Sequence, residues 1–507
     1  MSEKANDTGF MDRINVAIEP LQLFISSHVG DNMEKGVEEY LELRKAVRTA
    51  FLAERSNKDA IKYEINFHKH HLKTFDEAYS RKNLNETQIK IRNLIVEDIE
   101  DAKLALRSFG VTYDPELVDK DIILSVRHLK QFFRAGGYKT KAVNNVSFDI
   151  KTGECFGLVG ESGCGKTTTG RTVIGLYKPT GGAIYYKGYR IAAGSRWNEK
   201  EIKWKRIAAK KRIGELQADK ARDLADATAT ESKEDIAAKY DAMIADTRKE
   251  IADLVTEQKA LIKQIEYDNK HTNTKLRNEI QMIFQDPIDS LDPRMTVESI
   301  IAEGLHIQGK YNRRENEAAV ADVLKKVGLI PEYASRYPHE FSGGQRQRIG
   351  IARALVMNPK VLICDEPISA LDVSIRAQVL NLLNQIKEEM HLTMLFIAHD
   401  LSVVKYFCDR IAVMYFGSMV ELATSDELFA HPLHPYTKAL LSAIPKPDPD
   451  SEKNRVRQIY NPANSHNYVG HKPTFREIVP GHFVLCDDEE EKRYLQEIAE
   501  LDKKGEK

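Results

Sequence analysis

The run Gly160-Glu161-Ser162-Gly163-Cys164-Gly165-Lys166-Thr167 fits the pattern G-x-x-x-x-G-K-[ST]. That spacing builds a phosphate cradle: glycines let backbone N–H groups close on phosphate oxygens, and a following helix adds the positive potential of its N-terminus. Lys166 is placed to reach the β- and γ-phosphates of a nucleotide, Thr167 to ligate Mg²⁺, and Thr168 follows in the same turn. A second cluster ends the apolar run Val361-Leu362-Ile363-Cys364 with Asp365-Glu366-Pro367. Adjacent carboxylates at the C-terminal end of a strand suit nucleotide hydrolysis. Asp365 would hold Mg²⁺ through water, and Glu366 would polarise the attacking water. Of the other polar clusters, His68, His70 and His71 in HKHH have no acidic or Cys partner at ligand spacing, so they read as a solvated face.

These groups need a strand, a loop and a helix in that order. The apolar strand Cys155–Val159 precedes the cradle and the helical TTTGRTVIGL follows it. The pattern turns to strands at Asp121: DIILSVRHL, AVNNVSFDI and ECFGLVG are short β-branched runs broken by Gly, Asn and Lys. This globular texture runs to Tyr189, resumes at Ile280 and ends near Pro445. Residues 1–120 are charge-rich and helical. Their clearest helix opens with a capping-box pair, Asn85 and Gln88, carries apolar residues at Ile91, Ile95, Ile99, Ala102, Leu106 and Phe109, and stops at Gly110.

Residues 195–279 are nearly free of Gly and Pro and dense in Ala, Glu, Lys and Asp. Tyr240, Met243, Thr247, Ile251, Leu254, Gln258, Leu261 and Ile265 form a heptad-like stripe, with a weaker one at Ile202, Ile213, Leu216 and Leu224. The expectation is an antiparallel helical hairpin turning at ATATES, its second arm capped by Ser232, each arm up to ~50 Å long. Its opening KWKRIAAKKR is locally basic and reads as a solvated face, with headgroups or nucleic acid as the other options. After Pro445 the chain (446–507) reads as loop, with DDEEEK leading into a final short charged helix.

Basic and acidic side chains number 75 and 76, so no chain-wide field draws the protein to nucleic acid or acidic lipid. Five cysteines without a C-x-x-C pair argue against a disulfide framework or structural zinc and fit a reducing compartment. No apolar run nears the ~20 residues of a membrane span and the N-terminus has no secretory h-region, so an intracellular chain reaching membranes through partners is expected.

Between the two carboxyl-bearing motifs lies Phe341-Ser342-Gly343-Gly344-Gln345-Arg346-Gln347-Arg348; Ser369-Ala370-Leu371-Asp372 and Phe396-Ile397-Ala398-His399-Asp400 follow, and Ile283-Phe284-Gln285-Asp286-Pro287 lies upstream. In order these resemble the signature, D-loop, switch histidine and Q-loop of ABC ATPases, over roughly residues 122–445 without the hairpin. The resemblance implies an α/β fold: an ABC-type P-loop NTPase domain with a RecA-like core, an antiparallel β subdomain and a helical subdomain. To this are added the helical N-terminal segment and the hairpin, the whole domain spanning 121–445. It also implies that ATP is shared between two such domains. Gly160, Ser162, Gly163, Cys164, Gly165, Lys166, Thr167 and Thr168 would hold one triphosphate. Ser342, Gly343, Gly344 and Gln345 would serve the nucleotide of the partner ATPase, with Asp372 linking the sites. Gln285 would contact Mg²⁺ or water, and His399 the γ-phosphate. An aromatic residue upstream of the cradle would stack on adenine, Tyr138 or else Phe133. Phe341 stands where the family commonly has leucine.

The stretch Phe429 to Pro445, FAHPLHPYTKALLSAIP, is similar to the tail of oligopeptide/dipeptide import ATPases, as are FQDPIDSLDPRMTV and SALDVSIRAQVLNLL. PGHFV in REIVPGHFVLC resembles the end of the second ATPase subunit of oligopeptide permeases. This implies oligopeptide import driven by ATP and Mg²⁺ at the cytoplasmic membrane face, with a second ATPase subunit (a heterodimer), two transmembrane permease subunits and, indirectly, an extracellular peptide-binding protein. Relatives with an iron–sulfur cluster carry several tail cysteines; Cys486 alone implies none here. The rival reading is a soluble ABC ATPase acting on nucleic acid or ribosomes, since some of these also carry helical hairpins. The near-neutral hairpin and the His-Pro-Tyr tail count against it, and no nucleic-acid partner is expected.

Overall fold

The structure, a computed structural model, describes residues 9–27, 36–79, 84–226, 233–286, 290–444, 458–466, 468 and 472–505. The ATATES turn with Ser232, as well as Pro287 and Pro445, lies outside the described residues. The chain divides into two compact units: residues 1–120 with 188–190 and 270–273, and the remainder.

The first unit carries α1 (Gly9–Ser27), α2 (Val37–Ala53), α3 (Lys58–Ala78), α4 (Glu86–Arg107) and α5 (Pro115–Asp119). Asn85 and Gln88 form the expected reciprocal capping box of α4. The helix ends earlier than expected, with Ser108 as its cap and Gly110 in left-handed conformation just beyond. Ile91, Ile95, Ile99 and Ala102 are buried, and the three isoleucines belong to a core that includes Ile14, Tyr40, Phe51 and Phe67. The HKHH segment corrects the sequence reading. His68 and His71, on the same face of α3 as Phe67 and Phe75, are buried against Tyr40, Phe51 and Phe67 rather than solvated. Three-residue spacing placed them on the apolar stripe, and the stripe decided their environment. Two buried ion pairs brace the bundle: Arg55–Glu64 at 2.7 Å, and Arg44–Asp98 at 2.7 Å.

In the second unit β1 (Ile122–Ala135), β2 (Tyr138–Lys151), β4 (Gly181–Tyr186) and β5 (Tyr189–Ser195) form a sheet of order β2-β1-β4-β5, with β1 antiparallel to both neighbours. A second sheet takes in β3 (Cys155–Val159), β6 (Ile280–Ile283), β7 (Val361–Asp365), β8 (Thr393–Ala398), β9 (Arg410–Tyr415), β10 (Ser418–Thr424), β11 (Thr474–Val479) and β12 (His482–Cys486). Its order is β11-β12-β10-β9-β3-β8-β7-β6, with β3, β6, β7, β8 and β9 parallel. Every residue of β3, β7 and β8 is buried, as befits parallel strands covered on both faces. Around the sheets lie α6 (Lys166–Val173), α10 (Val297–Ile307), α11 (Arg313–Lys326), α12 (Gly343–Leu355), α13 (Val373–Met390), α14 (Leu401–Phe407), α15 (Ser425–Ala430) and α16 (Pro435–Ser442).

Between β5 and β6 stand α7 (Arg196–Asp226), α8 (Lys233–His271) and the short α9 (Thr274–Asn278). The long helices run antiparallel: Asn198 pairs with Gln258 at 2.8 Å, Lys220 with Asp241 at 2.7 Å, and Asp223 with Tyr240 at 2.5 Å. The seam differs from the heptad reading at two places. Ile244 and Val255 are buried while Met243 and Leu261 are exposed. A straight helix turns once every 3.6 residues, so a strict seven-residue stripe drifts off its face and the neighbouring apolar residue takes over.

The tail also departs from expectation. After α17 (Pro462–Ser465), β11 and β12 form a hairpin that joins the main sheet by pairing Glu421 with Val484, and α18 (Asp488–Gly505) closes the chain. Five- and six-residue strands carry little periodic signal, and it is the pairing of β11 with β12 and of β12 with β10 that defines them.

Candidate functional site

Gly160 and Gly165 are glycines for a measurable reason. A Cβ on Gly160 would lie 2.2 Å from the Met414 carbonyl oxygen, and one on Gly165 would lie 2.1 Å from that of Ala142. Both hold φ beyond +100°, where L side chains are strained. The loop is therefore walled by β2 and the β9–β10 turn, where the Gly417 N–H also donates to the Cys164 carbonyl at 2.9 Å. Ser162 and Gly163 stay exposed at the loop's crown, and Cys164 is buried beneath it, its thiol pKa raised chiefly by burial.

Gly165 caps α6, so Lys166, Thr167 and Thr168 fill its first turn. The Lys166 ammonium turns back into the loop, donating to the carbonyls of Gly160 at 2.7 Å and Glu161 at 2.9 Å. The Thr167 hydroxyl donates to Asp365 Oδ1 at 2.8 Å, tying cradle to carboxylate cluster. Asp365 is fully buried; burial pushes its pKa up, opposed by the Thr167 hydrogen bond and by Arg171 and Lys166. Its Oδ2 has no hydrogen-bond partner, although Arg171 lies 3.9 Å away. A buried carboxylate with a spare oxygen beside a threonine hydroxyl fits Mg²⁺, which takes few protein ligands and keeps its waters.

Glu366 follows β7 with φ +45°, an unusual conformation for glutamate. Its N–H donates to the Ile397 carbonyl of β8, and its own carbonyl accepts from the Ser369 hydroxyl, so the kink is held from both sides. Two other predicted residues meet its carboxylate. Gln285 Nε2 donates to Oε2 at 3.1 Å, and His399 Nδ1 lies 3.2 Å from the same oxygen. Three distant segments thus converge on one oxygen. Beside Gln285 opens a cleft of about 680 Å³, lined by Arg171, Phe284, Asp286, Ser290, Arg353, Ser369 and Ala370.

Ser342 caps α12 in a reciprocal box with Gln345, its N–H donating to Gln345 Oε1 at 3.0 Å. Ser342 is exposed, and a Cβ on Gly343 would meet open space, leaving this helix N-terminus accessible. A Cβ on Gly344 would instead strike Ile375. Asp372 is exposed at the start of α13. Tyr138 is 83% exposed at the β1–β2 turn, whereas its alternative Phe133 packs edge-on against Tyr177.

Sequence reasoning missed two elements. Arg171 stands one helical turn after Thr167, a spacing that could have exposed it. Tyr436 of the His-Pro-Tyr segment accepts the backbone N–H of Glu161 at 3.0 Å, a contact no local pattern announces.

Residues 143–260 and 242–369 match the ABC transporter family, and residues 420–471 match the oligopeptide/dipeptide transporter C-terminal region. The oligopeptide transport ATP-binding protein OppF of Bacillus subtilis (strain 168) is 46% identical over 373 residues, 73% of this chain and 98% of its own length. The oligopeptide transport ATP-binding protein AmiF of Streptococcus pneumoniae serotype 4 is 43% identical over 373 residues, 73% of this chain and 97% of that protein. Among solved structures, cbiO1 from Clostridium perfringens aligns at a TM-score of 0.41 and 24% identity, over 61% of this chain and 91% of that one.

Proposed function

The chain belongs to the ABC transporter ATP-binding proteins, and from that premise we propose that it is the ATP-hydrolysing subunit that powers oligopeptide import through membrane partners. The observation that carries the chemistry is the convergence of Gln285 and His399 on Glu366, next to the Thr167–Asp365 contact. The cargo class rests on the similarity to oligopeptide transport proteins along nearly their whole length.

In this reading Lys166 releases the loop carbonyls and donates to the β- and γ-phosphates, so the ammonium moves from internal to substrate partners on binding. Thr167 and, through water, Asp365 would hold Mg²⁺, which when bound would supply positive charge beside the triphosphate. Glu366 accepts the proton of the attacking water, and Gln285 and His399 orient that carboxylate and the γ-phosphate. Tyr138 stacks on adenine. Ser342, Gly343 and Gly344 present the exposed end of α12 to the nucleotide of a second ATPase subunit, with Asp372 between the sites. The cleft beside Gln285 takes the contact of one of two transmembrane subunits, so that closure on ATP moves the gate. A heterodimeric ATPase pair at the cytoplasmic face completes the assembly.

The test is affinity capture of the chain from detergent-solubilised membranes. Recovery of a second ATPase subunit with two multi-span proteins is expected, together with ATP-dependent peptide uptake on reconstitution. Recovery of nucleic acid or ribosomes without membrane proteins would overturn the reading in favour of the soluble alternative.

A further inference from the structure

Trp197, Lys200, Trp204, Ile207 and Lys211 follow one another at three- and four-residue steps along α7, so they share one face of the helix. The opposite face carries Ile202, Ala209, Ile213 and Leu216, the half-buried and buried positions of the hairpin seam. The first face is turned to solvent. Trp204 is 64% exposed and Ile207 49%, and no ring or cation stacks on the Trp204 indole among the described contacts. Trp197, at the base, rests beside Phe132 with Lys130 3.9 Å and Lys200 4.5 Å from its ring centroid. Residues 196–212 hold eight basic side chains against two acidic ones, in a chain that as a whole carries 75 basic and 76 acidic. The charge continues onto β2: the Lys139 ammonium pKa is lowered, by desolvation first and then by Lys200, Arg196 and Lys141.

Single exposed apolar residues are ordinary on a protein surface, but Trp197, Trp204 and Ile207 form a strip on one helix face, and it is such a contiguous patch that marks an interaction surface. Indole rings and aliphatic tips ringed by long cationic side chains match a bilayer surface. Rings settle at headgroup level and lysines reach the phosphates with their stems laid along apolar surface. We propose that this α7 face docks on a lipid bilayer surface bearing anionic headgroups, giving the ATPase a direct membrane contact of its own. An aliphatic residue one turn beyond the indoles on the same face fits acyl chains better than it fits stacked bases.

Both tryptophans of the chain lie on this face, so the tryptophan emission of the unlabelled full-length protein, excited at the red edge where tyrosine does not absorb, reports on it alone. Vesicles of mixed phosphatidylglycerol and phosphatidylcholine should shift the emission to the blue and co-sediment the protein. Pure phosphatidylcholine should do neither, and affinity should fall steeply as NaCl rises. Reversing four charges on or flanking this face (Lys200→Glu, Lys203→Glu, Lys210→Glu and Lys211→Glu) should weaken vesicle binding at least ~tenfold while ATP binding is kept. Should that variant misfold, the salt titration of the unaltered chain decides the matter. Equal binding to both vesicle types, binding indifferent to salt, no emission change, or a shift produced only by polynucleotide would each overturn the proposal. The vesicles contain no permease, so a negative result leaves the transport reading intact.

Discussion

The phenol of Tyr436 accepts a 3.0 Å hydrogen bond from the backbone N–H of Glu161, inside the phosphate loop and 275 positions earlier in the chain. Tyr436 is buried, its ring packed at 4.5 Å from Tyr415 and 5.4 Å from Tyr460. Its backbone N–H donates to His434 Nδ1, and the N–H groups of Leu433 and His434 donate to the buried Glu421, which His482 also engages. The His-Pro-Tyr tail and β12 are thus bolted to the strand next to the cradle, and the tail positions the loop that would hold ATP.

Replacing Tyr436 by Phe keeps the ring packing and removes the acceptor of the Glu161 N–H. A neutral hydrogen bond of this kind contributes about 1 kcal/mol, so ATP affinity should weaken by ~fivefold. Nucleotide titration checks it, and an unchanged affinity would show that the loop holds its shape without the tail.

Glu366→Gln keeps the size of the side chain and the contact with Gln285 but removes the carboxylate proposed as the base. Turnover should fall by ~10²–10⁴-fold while ATP binding persists. Steady-state hydrolysis alongside nucleotide binding, measured with the partner subunit present, separates the two effects.

Lys166→Ala deletes the ammonium that now satisfies two loop carbonyls, and with it the positive charge for the phosphates. Affinity for ATP should drop by at least ~tenfold, consistent with losing a charged hydrogen bond of about 1.5–3 kcal/mol. Equilibrium binding without hydrolysis gives the answer directly.

His68 and His71 are held neutral, their pKa values pushed down to about 3, in both cases by burial first. Arg44 and Arg55 add to this at His68, and His68 and His70 add to it at His71. In the unfolded chain both titrate near 6.5, so between the two values only the unfolded state takes up protons. Stability is full above pH ~6.5 and is lost as pH falls toward 3, at up to ~1.4 kcal/mol per pH unit for each histidine. Glu64, raised to about 7 by burial despite Arg55, works in the opposite sense between its unfolded value and 7. Asp98, also raised by burial despite Arg44, acts in Glu64's sense but from a lower ordinary value of 3.8, so down to pH 5 the two histidines outweigh the carboxyls. Hydrogen-exchange protection of α3, corrected for intrinsic rates, should therefore decline from pH 6.5 to 5. A His68→Phe, His71→Leu variant should lose that decline or reverse it.

The two motifs of the candidate site were legible because each is local. A glycine pattern and one lysine declare themselves within the eight residues 160–167, since the turn they build needs those residue types wherever it occurs, and a pair of carboxylates declares itself at the end of the apolar run 361–364. The capping box of α4 and the two-helix insertion were legible for the same reason: caps and helical periodicity are properties of neighbours along the chain. Other features depended on what lies across space. Whether His68 and His71 meet water or aromatic rings was set by the packing of α2 against α3, and whether Met243 or Ile244 enters the hairpin seam by the straightness of α8. Only strand pairing turned residues 474–486 into a sheet edge. Only the folded chain set Tyr436 against Glu161, and Gln285 and His399 against Glu366, because a hydrogen bond spanning hundreds of residues leaves no periodic trace in sequence.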